Sequence, residues 1–264
     1  MPTPLLVIVI LAVVQGITEF LPISSDGHLV VVNALLSDHK EVSDLTIALH
    51  AGTLLSIIVF YFDRLRLLLT EDQRLIPLLI VATIPAVLIG LPLDMFGKAV
   101  LDSPLWAGAG LIVTGLVLLA VSWVQRGDAD YREMTWFDAL LIGICQAPAV
   151  LPGLSRSGTT IAAGLGRGLS PQAAATFSFL MAVPAVGGAV ALKFVKGIMN
   201  TTELETPVSY LAIGIVISFL VGLAALWVLV RILETGRLQI FAWWCLPLGV
   251  AVVAWQLWAM ASAA

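Results

Sequence analysis

The stretch Gln15-Gly16-Ile17-Thr18-Glu19-Phe20-Leu21-Pro22-Ile23-Ser24-Ser25-Asp26-Gly27-His28 interrupts two apolar runs, Leu5–Val14 and Leu29–Leu36. Gln15, Glu19, Ser25, Asp26 and His28 therefore share one hydrophobic neighbourhood. Whether that neighbourhood is soluble core or bilayer decides the fold, and composition answers. Of 264 residues, 60% are hydrophobic and 11% charged, whereas a soluble domain is about a quarter charged. Such a chain cannot cover itself with a polar surface, so it reads as an all-α polytopic membrane protein. In that setting an ionisable side chain is costly to bury and is read first as functional.

The same composition excludes other classes. The net charge is −4 and no basic cluster occurs, so nucleic acid is not an expected partner. Cys145 and Cys245 both lie in apolar segments, which argues against a disulfide framework. No positive region precedes the first apolar run, so no cleaved signal peptide is expected.

A helix needs about 20 apolar residues to cross a bilayer. Suitable runs are Leu45–Phe62, Leu75–Leu93, Pro104–Val124, Ala174–Val195, Val208–Val230 and Ile240–Met260. Six transmembrane helices follow, with Pro85, Pro92, Pro184, Gly187 and Gly188 as kinks or close-contact sites. Leu5–Leu36 and Phe137–Leu169 are each too long for one span and are broken by Pro, Gly and Ser. Both read as re-entrant helical hairpins. Gln15 and Gln146, Ser24 and Ser155, and Gly27 and Gly158 are all 131 residues apart. That common offset points to an internal duplication within a single membrane domain, residues 1–264. The first repeat is 1–124, with its hairpin at about 5–36; the second is 136–264, with its hairpin at about 137–169.

With both hairpins returning to their starting side, Arg64, Arg66, Arg74, Arg126, Arg132, Arg167, Arg231 and Arg237 fall on one side. Lys40, Lys98, Lys193 and Lys196 fall on the other. Eight against four puts the arginine side in the cytoplasm. Three spans separate the hairpins, and an odd number makes them enter from opposite sides, as inverted-topology repeats. Irregular backbone at membrane depth must be buried in protein or line a wet cavity. Two hairpin tips meeting near the midplane would form that cavity.

The second break is Pro152-Gly153-Leu154-Ser155-Arg156-Ser157-Gly158-Thr159-Thr160. Arg156 is the one arginine not assigned to a membrane boundary, and its planar fork suits phosphate oxygens. Ser155, Ser157, Thr159 and Thr160 surround it with hydroxyl donors. Helices restarting after each break would aim free backbone N–H groups and a positive dipole end at the same place. Ser24, Ser25 and Gly27 occupy that position in the first break. Gln15 and Glu19, four apart, share a helix face and could hold a divalent cation, Mg²⁺ or Ca²⁺, that bridges to phosphate. Ser25 and His28, three apart, are spaced for a nucleophile and its base. A carboxylate, an imidazole, a hydroxyl and an arginine are what phosphoryl transfer needs.

Each residue also has a plainer reading. Ser24 and Ser157 could bond back to their own helix or glue helices together. His28 could be a satisfied core histidine, and Glu19–Arg156 a structural ion pair. His50 reads as a packing or helix–helix hydrogen-bonding residue. Trp243, Trp244, Trp255 and Trp258 read as interface anchors. His39 falls in a loop. Gly27, Gly153 and Gly158 are turn formers in either case.

These residues carry a family resemblance. Gln15-x-x-x-Glu19 resembles the [E/Q]-x-x-x-E motif of the bacterial undecaprenyl-diphosphate phosphatases of the bacitracin-resistance type. Pro152-Gly153-x-Ser155-Arg156-Ser157-x-x-Thr160 matches their P-G-x-S-R-S-x-x-T signature at every fixed position. Phe20-Leu21-Pro22-x-Ser24-Ser25-x-Gly27-His28 and Phe177-Ser178-Phe179-Leu180 through Pro184 are similar to the same family. The resemblance implies interdigitated inverted repeats, two re-entrant hairpins and a divalent cation; the arginine count, which puts the first hairpin outside, leads to an expected site in the bacterial inner (plasma) membrane open to the periplasmic side. The resemblance also implies hydrolysis of undecaprenyl diphosphate to the monophosphate carrier of peptidoglycan synthesis, which underlies bacitracin resistance. The site residues it carries over are Glu19, Ser25, His28 and Arg156, with Gln15, Ser155 and Thr160. Gln15 takes the neutral option of its motif. Asp26 stands where a small or hydroxyl residue is usual. A polyprenyl-phosphate transporter or flippase on the same anion site is the second reading. The oligomeric state stays open, a homodimer included.

Overall fold

Each over-long apolar segment is two half-length helices around a break. The computed structural model describes residues 4–36, 43–125, 127–199 and 206–263. His39, Lys40 and Arg126 lie outside the described residues, as do the side chains of Lys98, Lys193 and Lys196. The helices in chain order are α1 (Pro4–Thr18), α2 (Ser25–Leu36), α3 (Ser43–Phe60), α4 (Phe62–Thr70), α5 (Leu75–Phe96), α6 (Lys98–Leu101) and α7 (Pro104–Val121). They continue with α8 (Trp136–Gln146), α9 (Arg156–Gly166), α10 (Pro171–Met199), α11 (Val208–Thr235) and α12 (Ala242–Ala263). Strand pairing among the described residues is limited to a single bridge, Ala129 with Leu169.

Among the described residues five helical stretches are long and apolar enough to cross a membrane: Leu75–Leu93, Pro104–Val121, Pro171–Leu192, Val208–Thr235 and Leu238–Ser262. A sixth arises only if Asp44–Phe60 and Phe62–Thr70 count together, and that pair is bent by 68°. The run expected to end at Phe62 therefore turns at Tyr61. Beyond the bend α4 carries Asp63, Arg64 and Arg66 beside a single buried apolar residue, Leu68. Such an amphipathic helix belongs at an interface rather than across hydrocarbon.

The arginine-bearing ends gather at one pole. Arg74 donates to the carbonyls of Arg132 at 3.2 Å and Met134 at 3.0 Å. Arg132 pairs with Asp72 at 2.6 Å, and Arg167 with Asp138 at 2.6 Å. At the opposite pole the start of α1 meets the starts of α3 and α11, with Val7, Ile8, Leu11, Leu45, Leu49 and Leu211 in one apolar cluster. The chain then turns at Phe20–Ser24, and α2 returns to the same pole, where Val30 and Val31 pack on Ala107 of α7. Residues 136–166 do the reverse. α8 starts at the arginine pole, capped by Thr135, whose hydroxyl accepts from the Asp138 N–H at 3.2 Å. α9 comes back to that pole, where Gly164 lies against Ala174.

Small residues set these contacts. Gly214, Ser218 and Gly222, on one face of α11, admit Leu49, Gly52 and Ser56 of α3, and Gly222 also faces Phe20. Lipid gives apolar faces no reason to associate, so close backbone approach and interhelical hydrogen bonds do that work. Ser56 donates to the Phe219 carbonyl at 2.8 Å and Ser218 to that of Leu49 at 3.1 Å. The two breaks touch through glycine: a Cβ on Gly27 would stand 2.7 Å from the Gly153 Cα, and one on Gly153 would strike the Ala107 carbonyl. Gly153 also has φ +85°, which side chains rarely adopt. Gly153→Ala is expected to cost about 2–4 kcal/mol, from left-handed strain plus overpacking. A lowered midpoint of thermal unfolding in detergent, with Gly166→Ala (open space) as control, would register it.

Candidate active site

One carboxylate organises the polar centre. Glu19, just past the end of α1, is 9% exposed. Its Oε2 accepts from the Ser25 hydroxyl at 2.7 Å and from the Gln15 amide at 3.1 Å. Its Oε1 accepts from Arg156 Nη2 at 2.9 Å. Arg156 Nη1 lies 3.5 Å from the carbonyl of Ser178 on α10. Four expected residues, Gln15, Glu19, Ser25 and Arg156, thus meet on one group, across 137 residues of chain. A buried carboxylate is tolerable when its lone pairs are taken by charged and neutral donors, as here.

The hydroxyls of the second break are committed to the protein. Ser155 caps α9 by accepting from the Gly158 N–H at 3.1 Å. Its own N–H donates to Thr114 Oγ1 at 2.9 Å, and that hydroxyl donates to the Gly153 carbonyl at 2.8 Å. Ser157 reaches the Leu21 carbonyl of the first break at 3.4 Å. Thr160 bonds back to the Arg156 carbonyl at 2.8 Å and pairs with Ser178 at 2.7 Å. In the first break Ser24 plays the capping part, accepting from the Gly27 N–H at 3.3 Å. Ser155, Ser157 and Thr160 therefore hold the Arg156 turn in place rather than stand open as donors.

His28 is not where its spacing suggested. Ser25 spends its proton on Glu19, and both imidazole nitrogens are engaged elsewhere. Nδ1 lies 2.7 Å from the Ser24 carbonyl, and Nε2 accepts from the indole N–H of Trp244 at 3.0 Å. The expected Ser25–His28 pairing is therefore corrected: the left-handed turn at Ser24 (φ 68°) sends the imidazole toward α12. The site's nearby histidine is instead His50 of α3. Its Nδ1 is tied to the Thr46 carbonyl at 2.9 Å. Its Nε2 stands 3.9 Å from Glu19 and 3.7 Å from Asp26. Asp26 is the open member, with its side chain 52% exposed. An ionisable residue inside an apolar span was the one signal that could have found His50. Thr114 gave none beyond its polarity, and Ser178 only its place in the Phe177–Pro184 stretch that resembles the family.

For a divalent cation the donors are few. Among the described residues no three His, Cys, Asp or Glu side chains cluster as ligands. Yet Gln15 Oε1, beside Glu19, is buried without a hydrogen-bond partner. One carboxylate and one orphaned amide oxygen fit a cation that takes its remaining ligands from substrate phosphate and water, the habit of Mg²⁺. Two cavities, of about 260 and 180 Å³, lie apart from this centre at the arginine pole. The larger is lined by Tyr61, Arg64, Gln172 and Thr176 among others.

Fold and site together define a polytopic helical membrane protein built around a buried carboxylate–hydroxyl–guanidinium centre. The chain belongs to the family described as bacitracin resistance protein BacA, whose family model matches residues 8–251. It is similar to the undecaprenyl-diphosphatase of Rhodopirellula baltica, 46% identical over 246 residues, which cover 93% of this chain and 96% of that one. It is also similar to the undecaprenyl-diphosphatases of Alkaliphilus metalliredigens, 35% identical with 94% and 98% covered, and Methanosphaera stadtmanae, 37% identical with 93% and 95% covered.

Removing one member of a buried ion pair strands the other, at about 3–5 kcal/mol. Glu19→Gln and Arg156→Met should each destabilise the folded protein by that order, and the double variant by less than their sum. A double-mutant cycle on thermal unfolding reads the coupling; strictly additive losses would show the pair to be energetically independent.

Proposed function

We propose that the protein is an undecaprenyl-diphosphate phosphatase of the bacterial inner membrane, releasing inorganic phosphate and the monophosphate lipid carrier of peptidoglycan synthesis. That activity would confer bacitracin resistance. The observation that carries the reading is the 2.7 Å hydrogen bond from Ser25 to a carboxylate whose other oxygen holds Arg156. Nucleophile, base and phosphate-binding cation meet there on one group. Family membership supports the same activity.

The chemistry runs through this chain's own groups. The remaining N–H donors of Arg156 hold the terminal phosphate, and the N-terminus of α2 faces it with a positive dipole end. Ser25 Oγ attacks the terminal phosphorus and its proton passes to Glu19 Oε2. The bond from phosphorus to the bridging oxygen breaks, and the polyprenyl monophosphate leaves. Water then attacks the phosphoseryl phosphorus, Glu19 returns a proton to Ser25 Oγ, and inorganic phosphate departs. His50, between Glu19 and Asp26, is placed to pass protons between the carboxylate and the open side. Mg²⁺ or Ca²⁺, held by Glu19 and Gln15, would offset the charge of the diphosphate. Most of the catalysis is electrostatic positioning, as phosphoryl transfer requires.

The architecture proposed is six spans, with α3 crossing up to the bend at Tyr61 and α4 lying at the interface, and two re-entrant hairpins in inverted repeats. In support, α1 packs on α11 as α8 packs on α5, α11 on α3 as α5 on α10, and α7 meets its counterpart α12. The arginine pole is assigned to the cytoplasm. His50 lies about 10 Å along α3 from its start at the other pole, against about 15 Å to the bend. That depth favours a site open to the periplasmic side, with the polyprenyl tail in lipid between helices. A carrier of polyprenyl phosphate would use Arg156 equally well, but would gain nothing from a hydroxyl held on a carboxylate.

The test is phosphate release from purified protein in detergent given undecaprenyl diphosphate, with and without chelator. Ser25→Ala and Glu19→Gln should each lower turnover by about 10²-fold or more. Acid quenching with labelled substrate should trap phosphoserine in the wild type. A folded Ser25→Ala variant with near-normal turnover would sink the covalent route in favour of direct attack by water.

A further inference from the structure

Ser24 is the one described non-glycine residue with positive φ, at 68°. A left-handed serine costs on the order of 1–3 kcal/mol and persists only where its surroundings over-determine it. Here the surroundings can be named. The Ser24 hydroxyl accepts from the Gly27 N–H at 3.3 Å, and the Ser24 carbonyl receives His28 Nδ1 at 2.7 Å. A carbonyl can only accept, so Nδ1 carries the proton. An indole N–H can only donate, so Nε2, 3.0 Å from Trp244 Nε1, is the bare nitrogen. The two ring planes are parallel to within 7°, with centroids 6.3 Å apart. Both partners thus fix one neutral tautomer, and a proton on Nε2 would set donor against donor. His28 is also 9% exposed and makes no hydrogen bond to Ser25 or Glu19.

We propose that Trp244 and His28 are positioning residues of the reaction: the Trp244 N–H locks the His28 tautomer, and His28 Nδ1–H pins the strained Ser24 carbonyl. The pinned turn aims Ser25 at Glu19. The inference rests on the phosphatase reading of the site, and it gives His28 no proton to move during turnover. The controlling residue comes from α12, 216 residues away. The second half of the chain therefore supplies the rigidity of the first half's nucleophile turn, as well as Arg156.

The discriminating variant is His28→Asn, whose amide N–H can stand where Nδ1–H does but cannot titrate or form a phosphoenzyme. Activity should stay within about fivefold of wild type, the worth of one imperfect hydrogen bond. His28→Ala should lose about 100-fold, the cost of a misplaced group, mostly in kcat rather than KM. The pH profile of His28→Asn should keep the wild-type shape. Trp244→Phe, which keeps a ring and loses the donor, should lower kcat several-fold, and add little in the His28→Asn background. A folded, monodisperse His28→Asn protein as inactive as His28→Ala, or one lacking a limb of the pH profile, would overturn the proposal. So would wild-type kcat in Trp244→Phe. Nitrogen NMR of His28 reads the same claim without substrate. It should show a single Nδ1–H tautomer from about pH 5 to 8, lost in Trp244→Phe. A titrating or Nε2–H imidazole would overturn the proposal even if no phosphate were released, whereas an inactive wild type with the locked tautomer would count against the phosphatase reading alone.

Discussion

A guanidinium and a carboxylate held in an apolar interior are costly unless each finds enough partners. Glu19 and Arg156 are in that position, and much of the architecture follows from satisfying them. Glu19 takes donors from Gln15 on α1, Ser25 at the start of α2 and Arg156 at the start of α9. Arg156 in turn needs the α10 carbonyl of Ser178. Four helices from both halves of the sequence must therefore converge on one point. The two breaks can deliver their residues only by touching, and they touch where glycine leaves room, at Gly27 and Gly153.

That convergence explains why irregular backbone is tolerated there. The breaks leave N–H and C=O groups without helical partners, which hydrocarbon would not forgive. Ser24 and Ser155 take up the N–H groups of Gly27 and Gly158, and Thr114 bridges the Gly153 carbonyl to the Ser155 N–H. An aromatic wall stands behind them, with Phe20 edge-on to Phe179 at 5.8 Å and Phe179 against Tyr61 at 5.8 Å. The polar centre is bounded by rigid rings on one side. On the other it opens through Asp26 and His50.

The breaks were legible in the sequence because Pro, Gly and Ser interrupt apolar runs too long for one span. Glu19 and Arg156 were legible because charge at that depth needs a reason. What was hidden depends on partners far away in the chain. Three residues of helical spacing bring Ser25 and His28 near in principle. The left-handed Ser24 and an indole from α12 decide where the imidazole goes, and neither is written locally. His50 looked like a helix-packing residue because its neighbours Asp26 and Glu19 come from other elements. The bend at Tyr61 was also missed: Phe62 extends an apolar run, and only the charges of α4 just beyond it force the turn. Ser157 and Thr160 look like open donors in sequence, yet their hydroxyls are consumed by the backbone.

The proposed duplication carries a physical constraint of its own. At the offset of 131 residues, Ser25 corresponds to Arg156, Asp26 to Ser157, and Glu19 to Val150. Gln15 and Gln146, like Ser24 and Ser155 and Gly27 and Gly158, keep their identity, and both glutamines leave a buried amide oxygen without a partner. Had both halves kept a glutamate, two carboxylates would face one another across breaks in backbone contact, and both could not ionise there. Had both kept an arginine, the centre would hold two cations and no base. In that proposed duplication, two inverted halves that meet at one point make this charged site by becoming unlike at that point. Here one half keeps the acid and the hydroxyl, and the other the guanidinium. The backbone can remain nearly symmetric while the chemistry cannot.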